Sequence, residues 1–121
     1  MRCIVAGSRG FRDYEFVARK LDHLFSRTKP DVIIHGACHD SPDMLGKRWA
    51  DENGIKADPY PADWKNYKKA AGFIRNGVMA GVATHLVAFW DGTSPGTKDM
   101  IKQAENHGLV IRVVTIPRST E

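Results

Sequence analysis

Five short, mostly apolar runs alternate along this chain with segments whose apolar residues recur at helical spacing. The runs are Cys3–Ala6, Val32–His35, Ile55–Tyr60, Leu86–Trp90 and Val110–Thr115. Strands that alternate with helices predict a parallel sheet, because parallel neighbours need a long crossover connection between them. We therefore expect an α/β fold, a doubly wound sheet of five parallel strands with helices on both faces.

Right-handed crossovers leave two common orders for such a sheet, 3-2-1-4-5 and 2-1-3-4-5. In the first order, strands one and four are neighbours where the chain reverses its direction across the sheet. The small-residue turns that follow these strands, Gly7–Gly10 and Asp91–Gly96, then flank one crevice. Open α/β sheets bind ligands in that crevice, and we expect the first order and a ligand there.

The length and composition indicate one domain. The chain has 121 residues, 42% of them hydrophobic, and we assign residues 1–116 to the domain and 117–121 to a polar tail. No apolar run approaches a membrane span, and Met1–Gly7 is too short for a signal peptide, so we expect a cytoplasmic protein with no membrane contact. Cys3 and Cys38 are then expected to be reduced. The net charge of +4 suits an anionic ligand.

The stretch from His85 to Met100 passes from an apolar run to a loop of small residues and then to a helical pattern from Thr97. A loop that leads into a helix directs backbone N–H groups and the positive end of the helix dipole at an anion. Gly92 and Gly96 leave room for a ligand to approach the main chain. The pattern predicts a phosphate-binding turn.

Other residues mark helix boundaries. Asp13 can cap the first helix, and Ser41 or Asp43 can start the second. A third helical region runs from about Asp63 to Ala83, and we expect a break near Gly72.

Four groups of residues carry a resemblance to a known superfamily. They are Gly7-Ser8-Arg9; His35-Gly36-Ala37-Cys38 with Asp43; Gly72-Phe73-Ile74-Arg75-Asn76 with Met79; and Phe89-Trp90-Asp91-Gly92 with Ser94, Gly96 and Thr97. In order and over about residues 2–114, they resemble the motifs of the SLOG superfamily, named for the SMF/DprA and LOG proteins. Within it the chain is most similar to the small, single-domain YspA-like branch.

This resemblance implies a Rossmann-like domain that binds a nucleotide or a nucleotide-derived molecule. Members of the superfamily hydrolyse nucleoside monophosphates, sense signalling nucleotides or bind single-stranded DNA. The ligand-binding residues that we predict are Gly7, Ser8, Arg9, Gly36, Asp43, Arg75, Asn76, Asp91, Gly92, Ser94, Gly96 and Thr97. No cofactor is implied.

The chain departs from the hydrolytic LOG-type members at a decisive position. Those enzymes carry a catalytic glutamate three residues after the threonine of the Gly-Thr pair, and Met100 occupies that place here. The positions of the paired glycines in those enzymes are occupied here by Thr93 and Ser94. The chain thus resembles the phosphate-binding half of the site, and we assign no catalytic residue.

Several of these residues also have a purely structural interpretation. Arg75 could be a surface charge and Arg9 could be solvated, while Ser8 and Asp43 could serve only to start helices. Asp91 could bind a ribose hydroxyl or merely stabilise its own turn.

The histidines and aromatic residues leave further alternatives. His35, Cys38, His39 and Asp40 lie within six residues without a second ligand pair elsewhere, so we expect no metal site. Trp49 and Trp90 are expected in the core. Trp64 and Tyr67 lie in a polar segment and are the better candidates for contact with a base or a partner.

Three functions remain as hypotheses. The first is a module that senses or sequesters a nucleotide-derived small molecule. The second is a nucleotide hydrolase that uses Asp91 or Asp99 as a substitute acid, and the third is a nucleic-acid-binding protein. The apolar residues of Gly72–Val82 exceed what one buried helix face needs, so a homo-oligomer is also expected.

Overall fold

The sheet is built around two neighbouring strands, β1 (Arg2–Gly7) and β4 (His85–Trp90). They pair in parallel from Cys3 opposite His85 to Gly7 opposite Phe89. Four consecutive residues of each strand are buried, because helices cover both faces of the sheet at this point. The computed structural model describes residues 1–118, so the last three residues of the predicted polar tail lie outside the described part.

Three further strands complete the sheet, and the helices connect them. The remaining elements are α1 (Tyr14–Leu24), β2 (Val32–His35), α2 (Pro42–Glu52), β3 (Lys56–Pro59), α3 (Trp64–Tyr67), a 3-10 turn (Lys68–Ala70), α4 (Ala71–Val82), α5 (Pro95–Asn106) and β5 (Val110–Thr115). The strand order is β3-β2-β1-β4-β5, and all neighbours are parallel. The expected doubly wound sheet and its first order are confirmed.

Alternation along the strands divides the core into two layers. Cys3 and Val5 of β1 face α1 and α2, where Trp49 is almost completely buried. Ile4 and Ala6 face α4 and α5 on the other side of the sheet. The turn after β1 therefore emerges between two packed helical layers.

Short polar side chains start the first two helices as the sequence indicates. Asp13 accepts a hydrogen bond from the backbone N–H of Phe16, and Ser41 accepts one from that of Asp43. Both bonds satisfy N–H groups that have no partner inside a helix.

The break in the third helical region falls near Gly72, as predicted, at the 3-10 turn Lys68–Ala70, where Lys68 takes a positive φ of 51°. One helix boundary differs from the sequence prediction. Helix α5 begins at Pro95, since proline suits a first helical position, and this places Gly96 and Thr97 in the first turn.

No helix within residues 1–118 is long and apolar enough to cross a bilayer.

Candidate functional site

A cavity of about 490 Å³ opens at the carboxyl ends of β1 and β4, where the strand order reverses. Ten of the residues predicted from the sequence line it: Gly7, Ser8, Arg9, Asp43, Arg75, Asn76, Asp91, Ser94, Gly96 and Thr97. The remaining lining residues are Ala6, Cys38, Trp64, Lys69, Gly72, Phe73, Met79, Pro95 and Met100. The fold thus brings four separate sequence motifs to one concave surface.

Hydrogen bonds join the turn after β1 directly to the turn after β4. The backbone N–H of Ser8 donates to the carbonyl of Phe89 at 3.0 Å. The backbone N–H of Asp91 donates to the hydroxyl oxygen of Ser8 at 3.2 Å. Ser8 is buried, and within residues 1–118 its own hydroxyl proton has no acceptor. Ser8 therefore fixes the floor of the cavity and keeps one donor available for a ligand.

Asp91 stabilises the turn that leads into α5. Its carboxylate accepts four hydrogen bonds, from the backbone N–H and the hydroxyl of both Thr93 and Ser94. Burial alone would raise the pKa of Asp91, but these bonds outweigh it and hold the pKa well below its usual range. Asp91 is therefore ionised at neutral pH, and all four hydrogen bonds that its carboxylate accepts come from residues of its own turn.

The first turn of α5 presents unsatisfied donors to the cavity. Ser94 is the N-cap residue, but its hydroxyl donates to Asp91 and does not cap the helix. The backbone N–H groups of Gly96 and Thr97 consequently find no acceptor among the described residues. A Cβ atom on Gly96 would have no neighbour within 4 Å, so the space in front of this turn is open. These are the features of an anion-binding helix start.

Arg75 lies between the cavity and the loop that follows β2. Its Nη1 donates to the carbonyl of Gly36 at 2.6 Å and to that of Tyr60 at 3.3 Å, and its Nε donates to Asn76 at 3.1 Å. Within the described chain, Nη2 has no acceptor. One side of the guanidinium thus anchors two loops, and the other side remains for a ligand.

Asp43 lies beside this guanidinium and is 6% exposed. Its Oδ2 accepts a hydrogen bond from the backbone N–H of Gly36 at 3.1 Å. Burial raises the pKa of Asp43 to about 6, although Arg75 and the hydrogen bonds act in the opposite direction. The carboxylate therefore stabilises the loop that follows β2 and is not exposed to solvent.

Asn76 is also buried, and protein groups use its amide. Its Nδ2 donates to the carbonyl of Gly96 at 3.2 Å and to Asp99 at 3.1 Å. Asn76 therefore connects α4 to the first turn of α5 and fixes the position of the open N–H groups.

Two predicted residues lie outside the cavity lining. A Cβ atom on Gly36 would lie 2.8 Å from the Asp43 carboxylate, so Gly36 allows the close approach of Asp43 and Arg75. Gly92 takes a φ of +87°, which the turn after β4 requires and which favours glycine. The structure thus gives both glycines a backbone role. Their predicted contact with a ligand stays a prediction.

The predicted set lacked part of the wall and one cation. Trp64, Lys69 and Phe73 line the cavity, and only Trp64 was a candidate for base contact in the sequence. The presence of Phe73 in the same motif as Arg75 was the available indication. Lys69 had none, because a lysine in a polar segment is usually solvated.

The histidine and cysteine residues of the β2 loop do not converge. His35 is buried behind the cavity, with its Nδ1 accepting a hydrogen bond from the backbone N–H of Ala37, whereas Cys38 lines the cavity. Between residues 1 and 118 no group of three His, Cys, Asp or Glu side chains is placed to hold a metal ion.

Among solved structures, the chain is similar to DNA processing protein A (DprA) from Streptococcus pneumoniae, with a TM-score of 0.72 and 19% sequence identity. The alignment covers 98% of this chain and 50% of DprA, so the chain spans about half the length of that protein. At this identity the similarity shows the fold alone.

A search of curated proteins gives no significant match. A family model matches residues 1–67, which is more than half of the chain and includes the first two of the four motif groups, and it confirms the family resemblance. The protein belongs to the YspA, cpYpsA-related SLOG family.

Proposed function

We propose that this protein binds a nucleotide or a nucleotide-derived, phosphate-bearing small molecule in the cavity at the ends of β1 and β4. The observation that carries the proposal is the first turn of α5, which opens its N–H groups toward the same cavity as Arg9, Lys69 and Arg75. Helix dipole, backbone donors and cations there all favour a phosphate. We assign this function to a domain of residues 1–116.

The charges of the lining strengthen this proposal. The cavity holds three cationic side chains and two carboxylates, Asp43 and Asp91. Both carboxylates accept hydrogen bonds from the protein, so they repel an anion less than free carboxylates would. Ser8, Gly96 and Arg75 each line the cavity and keep a donor without an acceptor, and phosphate oxygens accept hydrogen bonds from such donors.

We further propose that the ligand is bound and not hydrolysed. Met100 is buried in the cavity wall and can neither donate a proton nor stabilise a positive centre. Asp91 is a poor substitute acid, because its depressed pKa leaves it without a proton at neutral pH. Asp99 accepts a hydrogen bond from Asn76 and does not line the cavity.

Titration calorimetry with the four common nucleoside 5′-monophosphates tests the binding proposal. Gly96→Val should weaken binding at least tenfold without unfolding the protein, since the added side chain fills the space of the ligand and its Cβ atom has no protein neighbour within 4 Å. Gly81→Val on α4 is the matched control, because a Cβ atom there would meet only Nε2 of His107, at 4.0 Å, and Gly81 lies outside the cavity. Equal binding by Gly96→Val and the wild type would refute the site.

Release of free base from the same nucleotides tests the absence of hydrolysis. We expect none, or a rate far below an ordinary enzymatic turnover of about 1 per second. Turnover at that rate would refute the binding-only proposal. Its loss in Asp91→Asn or Asp99→Asn would then identify the acid.

A nucleic-acid-binding function is the second candidate. It is favoured by the exposed Lys65, Lys68 and Lys69, which lie in one segment with the half-exposed Trp64 and Tyr67. Such binding should weaken steeply with salt, because it releases counterions from the phosphate backbone. Titration of a labelled single-stranded oligonucleotide at several salt concentrations distinguishes it from nucleotide binding.

Two further expectations concern assembly and location. Phe73, Ile74 and Val78 of α4 are each about half exposed, and we propose that this row packs against the same row of a second copy. Light scattering should show a dimer, and Ile74→Lys should shift it toward the 13.5 kDa monomer. A monomer at tens of micromolar would contradict the proposal.

A cytoplasmic location remains an expectation that is based on Cys3 and Cys38, both unpaired.

A further inference from the structure

The segment between β3 and α4, residues 61–70, forms one side of the cavity and is here called the outer strap. All of its residues except Ala62 are exposed, and it includes α3 and the 3-10 turn. Its two aromatic residues are similarly exposed, Trp64 at 53% and Tyr67 at 51%, but only Trp64 lines the cavity. The strap therefore presents one large apolar ring to the ligand space.

Trp64 lies close to the guanidinium that faces the cavity. A Cβ atom on Gly72 would be 3.5 Å from Cη2 of Trp64 and 4.0 Å from Nη2 of Arg75. The ring and the free side of the guanidinium thus flank one glycine in the first turn of α4. Phe73, the next residue, also lines this part of the cavity. An aromatic surface and an anion-binding group are close together here.

Local hydrogen bonds set the position of Trp64 within the strap. Asp63 accepts hydrogen bonds from the backbone N–H of Asn66 at 3.2 Å and from its side-chain amide at 2.7 Å. These bonds stabilise the single turn that carries Trp64, although little of the strap is buried. A half-exposed tryptophan held in this way can stack on a planar ring without displacing any core residue.

We propose that Trp64 is the base-binding surface of this site and that it makes the cavity selective for nucleotides over sugar phosphates without a base. The inference rests on the proposed function, since it assumes that the phosphate lies at the first turn of α5. Stacking of a base on an aromatic side chain tolerates every base, because each has a flat π-face. The strap then determines the class of ligand, and the turns after β1 and β4 bind its phosphate.

The test compares two kinds of ligand on three variants by calorimetry. The ligands are the four nucleoside 5′-monophosphates and ribose 5-phosphate, and the variants are Trp64→Ala, Trp64→Phe and Tyr67→Ala. We expect Trp64→Ala to weaken nucleotide binding about 5- to 150-fold, the range that base stacking on an aromatic ring supports. Ribose 5-phosphate should bind as it does to the wild type. Trp64→Phe should lose little, and Tyr67→Ala is the matched control with no expected loss.

Fluorescence supplies a second readout. Trp49 is buried and Trp90 is partly buried, whereas Trp64 is 53% exposed, so acrylamide quenching of the wild type reports mainly on Trp64 and the Trp64→Phe variant gives the background from Trp90. Nucleotide should protect this fluorescence from acrylamide, and the protection should disappear in Trp64→Phe.

Distinct results separate the two proposals. Unchanged nucleotide affinity in Trp64→Ala, together with a loss in Gly96→Val, would overturn the role of Trp64 and leave the site intact. An equal loss for nucleotide and ribose 5-phosphate in Trp64→Ala would also overturn it, because Trp64 would then only shape the site. If neither ligand binds the wild type, the proposed function itself fails.

Discussion

The two sides of the cavity are built in different ways. The inner wall, defined here as Ser8, Asp43, Asn76 and Thr97, is buried, and three of these four residues hydrogen-bond to another loop or helix. The outer strap is exposed, and its hydrogen bonds run mainly within its own turn. A residue of the inner wall therefore serves both the fold and the site, while a residue of the strap can serve the ligand alone.

Because of this difference, substitutions in the two regions should affect different quantities. Inner-wall substitutions should lower the free energy of unfolding together with ligand affinity, because they leave buried polar groups without partners. Strap substitutions should change affinity and leave unfolding almost unaffected. The following experiments, from the largest expected effect to the smallest, can contradict or refine that contrast.

The largest effect is expected at the glycine that ends β1. A Cβ atom on Gly7 would lie 2.6 Å from the carbonyl oxygen of Phe89, and backbone on that side cannot yield. Gly7→Val should lower the free energy of unfolding by more than about 3 kcal/mol. Urea denaturation measures it, with Gly96→Ala as the control that meets no atom within 4 Å. Equal stability of both variants would contradict the tight packing of β1 against β4 directly before the inner-wall residue Ser8.

The pH dependence of stability should report on Asp43. Burial raises its pKa from 3.8 to about 6 in the folded protein, so the folded state binds the proton more tightly than the unfolded chain. The stabilisation from this group is complete below pH 4 and is lost as the pH rises through about 6, a change of about 3 kcal/mol. We expect the unfolding free energy of the wild type, relative to Asp43→Asn, to fall over this window.

The comparison with Asp43→Asn is necessary because His35 also titrates nearby. Burial lowers the pKa of His35, so its own contribution has the opposite sign, and it is lost as the pH falls. Both proteins contain His35, and its contribution cancels in the difference. A flat difference between pH 4 and 7 would refute the assignment to Asp43.

Substitution of Arg75 should lower both ligand affinity and stability. Arg75→Ala should weaken nucleotide binding by roughly 1.5–3 kcal/mol, the scale of a charge-assisted hydrogen bond. It should also lower stability, because the carbonyls of Gly36 and Tyr60 lose their donor and Asp43 loses its neighbouring cation. Titration calorimetry measures the loss of affinity, and urea denaturation measures the loss of stability. Arg75→Lys is the conservative control.

The smallest effect is expected at the exposed cation of the strap. Lys69→Ala should weaken nucleotide binding by about 0.5 kcal/mol, less at high salt, since solvent screens an exposed charge. Its unfolding free energy should match the wild type within about 0.5 kcal/mol. A clear loss of stability in Lys69→Ala would show that the strap contributes to the fold and would weaken the contrast.

Much of the fold could be predicted because its causes are local. The run Val32–His35 is a strand by its composition, and Asp13 and Ser41 start helices through bonds to residues two or three positions away. The site was predictable only in part. Its turns are local features, whereas the partner of the Arg75 guanidinium, Gly36, is 39 residues away in the chain.

The sequence by itself determined the alternation of strands and helices, the small-residue turns after β1 and β4, and the methionine in place of an acid at position 100. These follow from side-chain shape, backbone freedom and residue identity, which act over a few residues. Only the tertiary structure decided that Asn76 connects two helices, that Asp91 is engaged by its own turn, and that Trp64 rather than Tyr67 faces the cavity. Such contacts depend on how the crossovers bring distant segments together, and no local pattern specifies that packing.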